Sequence, residues 1–190
     1  AGLSNSTFKP ERILELGTYL GVTTVILSKL FPDAKITTID LKDDDPIFKN
    51  TYRRKGSLKN FIKKRNKLIK NNAKINFIQE NSLFLTFKLK QENQDLIWVD
   101  GDHLNPQVTI DIINSIDLLN DEGILCTDDV IRDTNYKKNP NISMESYFVL
   151  NHLEINNILK NYYLIKRINK NNFDIKKYLS LSIKKNNNIF

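Results

Sequence analysis

The chain has 190 residues, near the size of one ordinary domain, with 40% apolar and 27% charged residues. A fold of this length buries about 70% of its unfolded surface and needs no staple. The lone Cys126 excludes a disulfide framework, no run approaches ~18 apolar residues, and the first nine residues lack an apolar leader core, so a cytoplasmic protein without a membrane span is expected. The net charge of +7 suggests an acidic partner, but the charge is uneven. Residues 49–74 hold eleven Lys/Arg and no acid, whereas residues 75–159 hold five Lys/Arg against fourteen Asp/Glu.

In chain order, Arg12–Gly17 reads as a strand and Val22–Leu30 as a helix, with Val25, Ile26 and Leu30 on one face and Pro32 blocking its continuation. Lys35–Leu41 is a second strand, ended by Asp43–Asp45 and Pro46. Ser57 caps a helix to about Asn71 whose apolar stripe is Leu58, Phe61, Ile62, Leu68 and Ile69. Ile75–Gln79 and Asp95–Asp100 are the third and fourth strands. Pro106 opens a helix carrying Val108, Ile112, Ile116 and Leu119, and Gly123–Thr127 is a fifth strand. Ser143–Lys160 reads as helical, and Tyr162–Ile168 with Tyr178–Ile183 as a closing hairpin. This alternation predicts βαβ units, a mainly parallel sheet and one domain over residues 1–190.

Gly17-Thr18-Tyr19-Leu20-Gly21 joins the first strand to the first helix, where an α/β sheet presents backbone N–H groups to a ligand. Its G-x-x-x-G spacing differs from the pyrophosphate-binding G-x-G-x-x-G. Glu15 disfavours a pyrophosphate and suits a cofactor that carries a cation. Asp40 ends the second strand, where a carboxylate accepts hydrogen bonds from ribose hydroxyls. The bland alternatives are an edge charge at Glu15, a turn residue at Asp40 and loop packing at Tyr19.

ILELGTYLGVTT, ITTIDL and DLIWVDGDH followed by GILCTDDV together resemble the class I S-adenosylmethionine-dependent methyltransferases, in the branch of catechol and caffeoyl-CoA O-methyltransferases and bacterial sugar O-methyltransferase-like enzymes. The resemblance spans about Lys9 to Val130. It implies an α/β, Rossmann-like seven-stranded sheet of order 3-2-1-4-5-7-6, with the last strand antiparallel and helices on both faces. It places Glu15, Gly17, Thr18, Tyr19, Gly21 and Thr23 on the methionine side of S-adenosylmethionine, Asp40 and Leu41 at the ribose, and Asn81 or Ser82 near the adenine, with Asp100 alongside. The same resemblance gathers Asp100, Asp128 and Asp129 at one sheet edge as ligands of Mg²⁺ or another divalent cation, a donor set of oxygens that suits a hard ion. A cap on the following helix and a solvated loop are the structural alternatives for these carboxylates. His103 stands where catechol O-methyltransferase has a lysine base. An imidazole can do the same work at neutral pH, though a lone histidine is often a surface or capping residue. His152, midway along a helix, reads as structural.

The expected function is therefore methylation of a small-molecule hydroxyl, assisted by a metal, with a homodimer as a further expectation. A nucleotide-fold binding protein or an RNA-directed methyltransferase using residues 49–74, with Arg53-Arg54-Lys55 and Lys63-Lys64-Arg65 on phosphates, is the alternative. Nucleic acid is the weaker reading, because the apolar stripe leaves those cations as a solvated outer face and no Asn/Asp-Pro-Pro-Tyr motif is present. Only eleven residues precede the first strand, so the N-terminal cap of the resembling enzymes is expected to be missing or replaced by the loops at Lys42–Ser57 and Asp133–Ser143.

Overall fold

A computed structural model describes residues 2–51, 57–89, 92–133, 143–169 and 175–185. Seven strands, β1 (Arg12–Leu16), β2 (Lys35–Asp40), β3 (Ile75–Gln79), β4 (Gln94–Val99), β5 (Leu119–Val130), β6 (Leu159–Asn169) and β7 (Ile175–Lys184), form one sheet of order β3-β2-β1-β4-β5-β7-β6. The pairs among β1 to β5 are parallel, and β7 runs antiparallel to both β5 and β6. This is the expected order and hand of pairing. Six α-helices, α1 (Val22–Leu30), α2 (Pro46–Thr51), α3 (Leu58–Ile69), α4 (Leu85–Lys88), α5 (Gln107–Leu118) and α6 (Glu145–Ile155), supply the connections.

The central strands are buried on both faces, and alternate residues divide into two cores. Leu14, Leu16, Ile97, Val99 and Leu125 pack with Val108 and Ile112 of α5 and Leu150 and Leu153 of α6. Ile13, Ile36, Leu96 and Cys126 pack with Leu27 of α1 and with Phe31. Each such aliphatic side chain contributes roughly 1.5–3 kcal/mol relative to an exposed one.

Several local expectations need correction. α1 buries Thr24 and Leu27, while Ile26 is exposed, because Thr24 reaches a buried carboxylate on β1. On α3 the stripe buries Phe61 and Ile69 but not Leu68, and Arg65 takes the inner position. Its guanidinium donates two bonds to Asp43, at 2.7 and 3.0 Å, and lies 4.6 Å over the Phe77 ring. Of the two basic triplets, Lys63 and Lys64 face solvent, Arg65 does not, and Arg53-Arg54-Lys55 lies outside the described residues.

The acidic run that seemed only to end β2 also starts α2: Asp45 accepts from the N–H groups of Ile47 and Phe48. α6 stops at Ile155 rather than running to Lys160. Asn157 adopts φ +59°, and the Ile158 N–H bonds the Leu153 carbonyl while the Asn157 N–H bonds that of Glu154, a Schellman closure built on asparagine. β6 correspondingly begins at Leu159 and not Tyr162, and β5 begins at Leu119, a residue expected on α5, four residues before its expected start.

Candidate active site at the carboxyl edge of the sheet

The loop after β1 is fixed by its neighbours. Gly17 has φ +96°, and a Cβ there would lie 2.2 Å from the carbonyl oxygen of Asp100. Gly21 has φ +78°, and its Cβ would meet Ile69 of α3 at 2.4 Å. Only glycine satisfies both the backbone angle and the close approach. The Gly17 N–H bonds the Ile39 carbonyl and the Asp100 N–H bonds the Leu16 carbonyl, so the ends of β1, β2 and β4 converge on this loop. Tyr19, with φ +48°, donates its N–H to Asp40 Oδ2 at 2.7 Å. Its ring packs 5.1 Å from that of Phe61. The Leu41 N–H donates to Asp40 Oδ1 at 2.8 Å, so backbone donors orient the Asp40 carboxylate from two sides.

Glu15 is wholly buried in β1, which removes the edge-charge reading. Its Oε2 accepts from Thr38 at 2.6 Å and from Thr24, and Thr18 shares a 2.6 Å hydroxyl bond with Thr38. Among the described residues its Oε1 has no hydrogen-bond partner. Burial pushes this carboxyl up to about 7, against the pull of the two threonine hydroxyls, with Asp40 adding to the rise. Thr24 and Thr38 are therefore part of the site, whereas Thr23 makes none of these bonds. A threonine facing β1 from helix and strand carries no motif, which is why sequence alone passes over it.

Asn81 and Ser82 lie where expected, after β3, with side chains engaged in structure. Asn81 caps the short 3-10 turn Ser82–Phe84 by accepting from the Leu83 N–H, and Ser82 accepts from Gln107 of α5 at 2.8 Å.

On the far side of the loop, Asp100 follows β4, while Asp128 and Asp129 lie in β5 at a register shift between Thr127 and Val130. The bulge and the φ of +51° at Asp129 turn both side chains toward the edge. Burial raises the Asp100 carboxyl to about 7; Asp128 and Asp129 push the same way and Lys166 opposes them. His103 Nε2 lies 3.7 Å from Asp100 Oδ1, its Nδ1 is buried without a partner, and burial holds its imidazole below the ordinary value of 6.5. At neutral pH it is an uncharged base beside a carboxyl that titrates near neutrality. His152 sits on α6 against Asn156, away from these groups.

The three expected metal ligands lie near enough to act on one another electrostatically, but lysines occupy two of them. Lys166 of β6 donates to Asp128 Oδ2 at 2.5 Å and to Asp129 Oδ1 at 3.3 Å, and Lys177 of β7 donates to Asp129 Oδ2. The ammonium groups hold Asp129 below the usual carboxylate range despite its burial. Among the described residues no group of three His, Cys, Asp or Glu is disposed to hold a metal ion. As arranged, the donors do not fit a divalent cation.

Comparison with known proteins follows the same lines. The model of a family described as a methyltransferase domain matches residues 14–130. TomG, an O-methyltransferase of Streptomyces achromogenes involved in tomaymycin synthesis and solved with S-adenosylmethionine, superposes with a TM-score of 0.65 at 13% identity, over 93% of this chain and 74% of its own. An O-methyltransferase from Bacillus cereus in complex with S-adenosylhomocysteine gives 0.62 at 16% identity, over 92% and 74%. An rRNA methylase from Streptococcus thermophilus gives 0.63 at 13%, over 96% and 91%. A search of curated proteins finds no match. At these identities the superpositions establish the fold.

Proposed function

Because the chain belongs to the methyltransferase-domain family, whose model matches residues 14–130, we propose that it transfers a methyl group from S-adenosylmethionine to the hydroxyl of a small molecule. The observation that carries this reading is the buried, unpartnered Glu15 Oε1 beside a glycine loop with no room for a side chain. A buried carboxylate oxygen lacking a donor fits the cationic amino group of that cofactor and would repel a phosphate. Gly17, Thr18, Tyr19 and Gly21 would line its methionine portion, with Asp40 and Leu41 at the ribose; Asp40 already stands oriented by two N–H groups. Asn81 and Ser82 would border the adenine mainly through backbone, since their side chains serve the local turn and α5.

When bound, the cofactor supplies a methyl group already activated by its sulfonium, so the protein's work is proximity and removal of one proton. His103 is the base in this reading, because burial holds its imidazole below the ordinary value and so uncharged at neutral pH. Asp100, 3.7 Å from Nε2, is too far for a hydrogen bond yet close enough to stabilise the imidazolium that forms. The divalent metal of the resembling enzymes has no role in this account, given the lysines on Asp128 and Asp129.

An RNA acceptor is the competing outcome, although one of the cations it would use, Arg65, is spent on Asp43 inside the fold. Calorimetry with S-adenosylhomocysteine tests the cofactor site. Asp40→Ala should weaken binding about 10- to 100-fold, the loss of charge-assisted hydrogen bonds worth roughly 1.5–3 kcal/mol. Unchanged affinity would end the proposal. Transfer of labelled methyl to a panel of phenols, sugars and RNA then identifies the acceptor class.

A further inference from the structure

Two strand irregularities meet at the end of β7. In β5 the pairing jumps from Thr127↔Ser180 to Val130↔Tyr178, which leaves one extra residue at Asp128–Asp129. In β6 it jumps from Ile165↔Tyr178 to Arg167↔Lys177, which leaves Lys166 as the extra residue. Bulges that flank the same strand at the same level thus bring Lys166 over the two aspartates, with Lys177 beside it. All four carboxylate oxygens are engaged. Asp128 Oδ1 accepts from the Asp129 N–H at 2.8 Å, Asp128 Oδ2 and Asp129 Oδ1 accept from Lys166, and Asp129 Oδ2 accepts from Lys177. Asp128 is buried, Asp129 and Lys177 are partly buried, and Lys166 covers them from the solvent side with its side chain 42% exposed.

We propose that Lys166 and Lys177 are the fixed cation of this site: they take the electrostatic place of a divalent metal and close Asp128 and Asp129 to one. The inference rests on the methyl-transfer reading of this edge. A Mg²⁺ ion requires oxygen donors at about 2.0–2.1 Å, and here it would have to displace the ammonium groups and then sit beside them. Two ammonium charges offset the carboxylates of Asp128 and Asp129, which leaves at most the one negative charge of Asp100, the residue whose backbone touches the cofactor loop. That balance suits a sulfonium cofactor with no further cation. Lys166 and Lys177 act through the aspartates and are positioning residues.

The test uses Mn²⁺ as probe on the purified protein, with bound ion read by electron paramagnetic resonance, and S-adenosylhomocysteine affinity read by calorimetry in EDTA and in millimolar Mg²⁺. The parent protein is expected to take up no Mn²⁺ at sub-millimolar concentration and to bind S-adenosylhomocysteine equally in both buffers. Lys166→Met with Lys177→Met unmasks the carboxylates and should bind one Mn²⁺ at least about tenfold more tightly, because two repelling charges are gone. Stoichiometric Mn²⁺ uptake by the parent protein at sub-millimolar concentration would overturn the proposal, and that measurement decides even where the double variant does not fold. Failure of the parent protein to bind S-adenosylhomocysteine in either buffer would instead refute the cofactor reading, whatever the Mn²⁺ result.

Discussion

Glu15→Gln separates what a buried carboxylate costs the fold from what it gives the site. The carboxyl has an ordinary pKa of 4.5 in the unfolded chain and about 7 in the folded one. As pH rises past 4.5 the unfolded chain releases this proton first, while the folded protein keeps it until pH 7. The contribution of this group to stability therefore falls between pH 4.5 and 7, and above pH 7 the parent protein carries a deficit of ~3 kcal/mol, at 1.36 kcal/mol per pH unit. Glutamine removes that dependence. It also places an amide N–H₂ where Oε1 has no partner, at a cost of roughly 1–3 kcal/mol. Urea denaturation of the cofactor-free proteins at pH 5 and pH 8, with equal m-values, should show the variant less stable at pH 5 and the difference moving in its favour by ~3 kcal/mol at pH 8. Affinity for S-adenosylhomocysteine should fall about 10- to 100-fold in the variant, since the amide cannot serve a cationic amino group. Parallel stability profiles would refute the argument that burial, uncompensated in the free protein, sets this carboxyl's pKa.

Other outcomes follow from the same geometry. Gly17→Ala should lower stability by roughly 1–3 kcal/mol and abolish measurable cofactor binding, because the added Cβ meets the Asp100 carbonyl at 2.2 Å and the backbone angle is unfavourable; a melting curve and calorimetry check both. His103→Gln should leave S-adenosylhomocysteine affinity unchanged and slow methyl transfer about 10²- to 10⁴-fold in single-turnover measurements. Equal loss of binding and rate would make His103 a structural residue.

The sheet was legible because its strands alternate with helices in runs of β-branched and aliphatic residues, and the G-x-x-x-G loop marks the strand–helix turn that Gly17 and Gly21 build. Asp40 and Asp100 were legible as strand-terminal acids. Glu15 was legible as an acid but not as a buried one, since its environment comes from Thr24 and Thr38, which are ordinary residues in α1 and β2. Arg65 hides in a basic run because its partner, Asp43, lies 22 residues away in an acidic run read only as a stop. Lys166 and Lys177 escape for a similar reason. In a hairpin rich in lysine each looks like solvent-facing charge, and only the two bulges, which have no signature in residue type, turn them onto Asp128 and Asp129.

The hairpin also sets an order of assembly. Glu15, Asp40, Asp100, Asp128 and Asp129 are all made before Lys166 and Lys177. A nascent chain that has reached Val130 thus holds every acid of the site and neither of the ammonium groups that quiet it. Closing the sheet with β6 and β7 is then the event that neutralises Asp128 and Asp129. The β6–β7 hairpin is in this sense a clasp on the candidate site as well as the edge of the sheet.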